Sequence, residues 1–178
     1  NSGFTEAIPT QAEFIQGDIN NAQQVEEVLL QNKINAILHF AALTIVPHSV
    51  LNPLAYYRTN TGGTIELARA AVRCGVKQFI FSSTAAVYGN TKANYVAETD
   101  PLLPESPYGR SKLFAEQVLR DISLASPLRY MILRYFNVAG AQVNLQNGQR
   151  TKDATHLVKV AAQAAAGHRP GVTIYGTD

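Results

Sequence analysis

Short apolar runs recur along this chain, and a stretch of helical period separates each from the next. Residues 36–42 (AILHFAA) form a continuous apolar run, the pattern of a strand buried on both faces. Residues 13–19 (EFIQGDI), 76–82 (VKQFIFS), 129–136 (RYMILRYF) and 172–175 read as further strands. Between them, Asn20 is a candidate N-cap, and Ala22, Val25, Val28 and Leu29 follow at helical spacing. A second helix is expected over residues 56–73, with Ile65, Ala68 and Val72 on one face and Gly75 as its stop. A third begins near Tyr108 and runs through Leu119, and a fourth covers 154–166, closed by Gly167. Strands alternating with helices in this rhythm predict an α/β fold: a doubly wound parallel sheet, Rossmann-like in outline. One polar, proline-bearing stretch, residues 90–107, is long enough to be a functional loop.

Composition removes several classes of function. The net charge is only +2, and the closest basic pair is Arg110 and Lys112, so no stripe or patch for nucleic acid is present. No apolar run approaches the roughly 20 residues of a membrane span. The four histidines are far apart in sequence and none has a second ligand at a recognisable spacing, so no metal site is expected. A single cysteine, Cys74, excludes an internal disulfide and favours a reducing compartment such as the cytoplasm. The opening NSGFTEAIPT and the closing GVTIYGTD both read as internal points of a longer polypeptide.

Ligands of doubly wound sheets bind beyond the carboxyl ends of the strands. Here those ends carry Asp18, the Ala41–Ala42 turn, Ser82, Ser83 and Thr84, and Asn137. Tyr108 and Lys112 stand four apart at the start of a helix, on one face and within reach of one ligand. A free phenol has a pKa near 10, too high for a base at neutral pH. A neighbouring ammonium favours the phenolate, so a Tyr–Lys pair is a proton-transfer device. One of the three hydroxyls at 82–84 is placed to hydrogen-bond a substrate hydroxyl and relay its proton to Tyr108.

Those segments, in order, resemble the extended short-chain dehydrogenase/reductase family, in its UDP-glucose 4-epimerase (UDP-galactose 4-epimerase) branch. The resemblance rests on GDI at 17–19, HFAA at 39–42, YYRTNTGGT at 56–64, FSSTAAVYG at 81–89, SPYGRSK at 106–112 and LRYFNVAGA at 133–141. ATHL at 154–157 adds to it. It implies an NAD-binding Rossmann-like domain over 1–178, with 137–178 beginning a substrate-binding part. It implies Tyr108 as catalytic base, Lys112 as its partner and a ligand of the nicotinamide ribose, and Thr84 as the catalytic hydroxyl, with Ser83 the alternative. Asp18 and Ile19 match positions around the adenine, and Phe40, Ala41 and Ala42 the pyrophosphate side. Asn60, Ser82, Ser83 and Tyr135 fall near the cofactor. Asn137, His156 and Leu157 fall where the family holds the nucleotide-sugar, and Thr173 and Tyr175 near its uracil. His156 replaces an asparagine of other members.

The implied reaction is NAD-dependent epimerisation at C4 of a UDP-hexose through a 4-keto intermediate, in galactose metabolism. A homodimer is implied, through the helices at 54–73 and 108–124. Two departures from the family pattern stand out. No Gly-rich phosphate-binding fingerprint occurs, and no C-terminal substrate lobe follows Asp178. The 178 residues alone are therefore expected to bind NAD weakly and not to turn over substrate. Ala85 and Ala86 follow Thr84 where dehydratases of this type carry Asp-Glu, which disfavours dehydration. Decarboxylases and epimerases of UDP-uronic acids, and a non-catalytic NAD-binding domain, remain as alternatives.

Overall fold

The computed structural model describes residues 4–91, 95–143, 147–150 and 155–174. The chain divides into two compact units, Ile15–Phe136 and a second formed by Asn1–Phe14 with Asn137–Asp178. Among the described residues no helix is long and apolar enough to cross a membrane.

The larger unit is a three-stranded parallel sheet with helices, the Rossmann-like arrangement that the alternating pattern predicts. Its strands β1 (Ala36–His39), β2 (Gln78–Ser82) and β3 (Arg129–Leu133) lie in sequence order. Ile37 pairs with Phe79, and Phe79 with Tyr130. The helices are α1 (Ala22–Gln31), α2 (Val46–Leu51), α3 (Pro53–Tyr56), α4 (Gly63–Arg73) and α5 (Pro107–Ala125). A π-helical turn, Tyr57–Gly62, joins α3 to α4. Phe79 and Phe81, two apart on β2, point to one face and are fully buried. Against them pack Leu67, Ala68 and Ala71 of α4 with Ala115 and Leu119 of α5. The small alanines let the helices approach the aromatic rings, and that close packing is the core.

Several expectations from the sequence need correction. Residues 13–18 carry no strand: the Gln16 carbonyl accepts from Gln24 Nε2 at 2.9 Å instead of joining a ladder. Apolar alternation supplies a strand's side chains but not its neighbour. The helix that follows is capped by Asn21, whose side chain accepts from Gln24 N at 3.2 Å. Asn20 is drawn away, donating its backbone N–H and its amide to Asp18 Oδ1.

β1 stops at His39 and is an edge strand among the described residues, and its Leu38, 59% exposed, leaves one face open rather than both buried. Beyond it, the Leu43 N–H and C=O are both taken by the Asn60 amide, at 2.8 and 3.0 Å, where a strand would have used a neighbour. On α4, Ile65 and Val72 are exposed, and the buried stripe is Leu67, Ala68, Ala70 and Ala71. β2 begins at Gln78 and β3 ends at Leu133, both inside the expected runs.

Gly75 ends α4 region as expected, at φ 72°. Residues 171–174 form no strand, and Tyr175 lies outside the described residues.

The smaller unit holds α6 (Leu157–Ala165), which is shorter than the expected 154–166, with Ala154 outside the described residues. An antiparallel bridge joins Ala141 to Gly148, and the Arg150 guanidinium lies over the Phe4 ring at 4.5 Å.

Candidate active site

The first turn of α5 places the central residue. Ser106 is the N-cap, its hydroxyl accepting from Gly109 N at 3.1 Å, and Pro107 follows at the first helical position, where its missing N–H goes unmissed. Tyr108 therefore sits at the positive end of a 19-residue helix. Gly109 lets that turn approach the chain after β2: a Cβ there would lie 2.8 Å from the Ala86 carbonyl oxygen and 2.9 Å from Pro104 Cβ. The approach brings the Thr84 hydroxyl into a hydrogen bond with the Tyr108 phenol. Thr84 also caps the short 3-10 turn Ala85–Val87 by accepting from Ala86 N at 3.1 Å.

The three hydroxyls after β2 go to three different partners. Ser82 bonds Tyr135, hydroxyl to hydroxyl. Ser83 is buried and donates to the Glu116 carboxylate, so it is turned from the phenol. Thr84 alone of the three bonds Tyr108. Lys112, one helical turn after Tyr108, is 2% exposed. Its Nζ donates to the Ser82 carbonyl at 2.7 Å and lies 4.8 Å from the centre of the Phe81 ring.

Burial sets the electrostatics. It pushes the Tyr108 phenol above its ordinary value, partly offset by the Thr84 hydrogen bond, with Tyr135 and Tyr56 pushing it up further. Burial also pulls the Lys112 ammonium down to about 8, against the support of Glu116. The ring of Tyr56 meets that of Tyr108 edge-on at 6.4 Å, and its hydroxyl donates to the Ile45 carbonyl at 2.6 Å.

Asn60, in the π-helical turn, acts within the chain. One amide hydrogen goes to Leu43 O and the other to the Ser111 hydroxyl, both at 3.0 Å. Ser111 donates onward to the Tyr108 carbonyl at 2.7 Å. His39 closes the same network. The Thr64 hydroxyl gives its one proton to Asn60 O at 2.6 Å, so the His39 Nε2 at 3.0 Å from it must carry a hydrogen and donate. Burial lowers the His39 pKa to about 4, followed by the Lys112 charge, and the ring stays neutral.

Asp18 lies at a cleft of about 450 Å³ with Asn20, Leu54, Ala55, Arg58 and Thr59. Hydrogen bonds from Asn20, then the Arg58 charge, hold its carboxyl below the usual range. Ile19 packs toward Gly63, and Phe40 and Ala41 are exposed in the loop after β1, with Ala42 half-buried. In the smaller unit, Asn137, His156 and Leu157 line one cleft of about 390 Å³. His156 Nδ1 accepts from the Gln149 amide at 3.0 Å. Thr173 is exposed and does not line that cleft.

Sequence reasoning missed Glu116, Arg134 and Arg58. Glu116 stands four residues after Lys112 and Arg134 immediately before Tyr135, and those spacings were the available signal.

A parallel sheet that brings a tyrosine, a threonine hydroxyl and a buried lysine together at the carboxyl ends of its strands defines an α/β protein with a ligand site in the Rossmann position. The chain belongs to the NAD dependent epimerase/dehydratase family, whose model matches residues 1–178. It is 48% identical over 177 residues to the UDP-glucose 4-epimerase of Azospirillum brasilense, covering 99% of this chain and 51% of that protein. The UDP-glucose 4-epimerase of Lacticaseibacillus casei is 45% identical, covering 99% of this chain and 54% of that protein. The crystal structure of UDP-glucose 4-epimerase from Brucella ovis in complex with NAD is 39% identical. It aligns with a TM-score of 0.87 over 93% of this chain and 51% of its own. The chain spans about half the length of the curated relatives it matches.

Proposed function

We propose that the protein carrying this chain epimerises a UDP-hexose at C4, interconverting UDP-galactose and UDP-glucose, with NAD as its cofactor. The observation that carries the reading is Tyr108 at the N-terminus of α5, one turn ahead of the buried Lys112, whose Nζ is anchored on the Ser82 carbonyl beside Thr84. The donor set fits the cofactor. The Lys112 ammonium has three donors, and Ser82 O takes one, leaving others for ribose hydroxyls. The Asp18 carboxylate and the cleft it shares with Arg58 and Thr59 suit an adenosine.

NAD, when bound, would supply a hydride acceptor and donor for the sugar C4. Tyr108 takes the proton of the 4-hydroxyl as the ketone forms and gives it back as the ketone is reduced. Burial raises its phenol above the ordinary value and the Thr84 hydroxyl favours the ionised form, so a neighbouring positive charge is what makes it a base. Thr84 bonds the same phenol and relays the proton. Lys112 orients the ribose and adds charge. Asn60 holds the loop after β1, with Phe40, Ala41 and Ala42, along the cofactor, while Ser82, Ser83 and Tyr135 build the nicotinamide side.

Asn137, His156 and Leu157, which share one cleft, are assigned to the nucleotide-sugar, with Thr173 and Tyr175 toward its uracil; residues 137–178 begin the substrate-binding part. A homodimer is proposed through the helices at 54–73 and 108–124, which expose Leu54, Ile65, Val72, Phe114 and Leu124. A cytoplasmic role in galactose metabolism follows from the same reading. Ala85 and Ala86 beside Thr84 offer no acid for elimination of water, which favours epimerisation over dehydration.

The test is incubation of the protein with UDP-galactose and coupled detection of UDP-glucose. Conversion that disappears in Tyr108→Phe supports the reaction and the base together. A protein that holds NAD yet converts no UDP-galactose overturns the proposal.

A further inference from the structure

Glu116 lies one turn beyond Lys112 on α5 and is fully buried. It has no place in the proton path above, yet it is heavily bonded. Its Oε1 accepts from the Ser83 hydroxyl and from Arg134 Nε at 3.1 Å. Its Oε2 accepts from Arg134 Nη2 at 2.7 Å and Nε at 3.2 Å, with Arg120 Nη2 at 3.8 Å. Arg134 donates onward to the Tyr88 hydroxyl at 3.0 Å and to the Glu98 carbonyl at 3.3 Å. These bonds raise the Arg134 guanidinium above its ordinary value.

A buried ion pair is weak evidence of stabilisation, because desolvation offsets its attraction and apolar residues of similar volume serve the fold as well. What distinguishes this pair is which residues it grips. Ser83 stands between Ser82, whose carbonyl holds the Lys112 ammonium, and Thr84, whose hydroxyl bonds Tyr108. Arg134 precedes Tyr135, whose hydroxyl bonds Ser82 and whose carbonyl accepts from Ala85 N at 3.1 Å. One carboxylate on α5 therefore ties down both segments that present groups to the site.

We propose that Glu116, with Arg134, is a positioning residue. It fixes the 82–85 turn and the end of β3 against α5, so that the Ser82 carbonyl stays on Lys112 and the Thr84 hydroxyl on Tyr108. The proposal rests on the reading of Tyr108, Thr84 and Lys112 as the reacting set. Small misplacement of such groups is enough to slow proton transfer by roughly 100-fold.

The decisive variant is the double replacement Glu116→Met with Arg134→Met in the NAD-loaded protein. Apolar side chains of similar length keep the packing and leave neither charge unpaired. With UDP-galactose as substrate, kcat is expected to fall roughly 100-fold and KM to change by less than about threefold. A purely structural pair predicts unchanged kcat in the folded variant, and that result overturns the proposal.

A second readout needs no turnover. The Tyr108 phenol, faced by Thr84, Tyr135 and Tyr56 with Lys112 one turn away, is titrated through its 13Cζ resonance. Loss of the Thr84 hydrogen bond moves the midpoint upward in the double variant, although the substitutions touch neither Thr84 nor the phenol. An unmoved midpoint overturns the proposal. Absence of UDP-galactose turnover in the unmodified protein overturns the epimerase reading instead, and the phenol titration still decides the positioning role. Glu116→Gln that folds serves as the milder check: it keeps an acceptor for Ser83 but weakens the Arg134 fork, and kcat should fall by less than in the double variant.

Discussion

The Lys112 ammonium donates to the Ser82 carbonyl at 2.7 Å, across the gap between the second turn of α5 and the end of β2. That bond sets a buried charge at the place where both segments deliver site residues. It also distinguishes the structure from the bare Tyr–Lys spacing. The lysine is anchored to the backbone beside Thr84, and the phenol takes its hydrogen bond from Thr84 itself. Lysine and tyrosine are thus held in place by separate anchors.

Burial lowers Lys112 to about 8, well below the unfolded value of 10.5. Between those values the unfolded chain binds more protons than the folded one, so this residue makes stability rise with pH from about 8 to 10.5. Activity should run the other way, falling above pH 8 as the charge that supports the phenolate is lost. Urea denaturation of Lys112→Met across that range is expected to show a flatter pH dependence than the unmodified protein. An identical slope in the two proteins contradicts the assignment.

His39 gives the opposite end of the pH scale. Its pKa is held near 4, below the ordinary 6.5, by burial among Phe79, Phe81 and Thr64. The folded chain therefore binds fewer protons between pH 6.5 and 4, and stability is lost as pH falls through that window. His39→Phe should remove this acid sensitivity. At pH 7 it should cost about 1 kcal/mol for the lost hydrogen bond to Thr64. Thermal melts at pH 7 and pH 5 check both: the drop between them should shrink in the variant.

The order of elements was legible because it depends on periodicity alone. Alternating apolar runs and helical stretches are local, and β1, β2, β3, α1, α4 and α5 each fall inside or next to an expected segment. Pairing is not local, and the errors gather there: residues 13–18 and 172–174 have strand-like side chains and no ladder. The choice among Ser82, Ser83 and Thr84 was equally out of reach, since it depends on which way each hydroxyl leaves the turn. Spacing could place Glu116 on the Lys112 face of its helix and Arg134 beside Tyr135, but not show that the two pair, since they are 18 apart in sequence, on α5 and just past β3.

Gly109 supplies a prediction about close approach. Its missing Cβ is what lets the first turn of α5 lie against Ala86 O and Pro104, and both obstacles leave little room to move. Gly109→Ala should destabilise the fold by about 1–3 kcal/mol through overpacking, despite alanine's better helix propensity. It should also lengthen the Thr84–Tyr108 contact and lower turnover. A variant more stable than the unmodified protein, as helix propensity alone implies, contradicts this account.

Thr84 carries two bonds that a single substitution separates from bulk. Its hydroxyl accepts from Ala86 N to cap the following turn and bonds the Tyr108 phenol. Thr84→Val keeps the volume and removes both. Loss of the cap should cost about 1 kcal/mol of stability. Loss of the phenol bond should reduce kcat on UDP-galactose by about 10²-fold, the usual scale for a positioned proton-transfer group. Thr84→Ser retains the hydroxyl and should recover most of both. If Thr84→Val matched Thr84→Ser in kcat, the hydroxyl would have no part in the chemistry, and Tyr108 would exchange the proton with the sugar unaided. A stability loss without a kcat loss would reduce Thr84 to a cap, whereas the reverse pattern would assign it to the proton path alone.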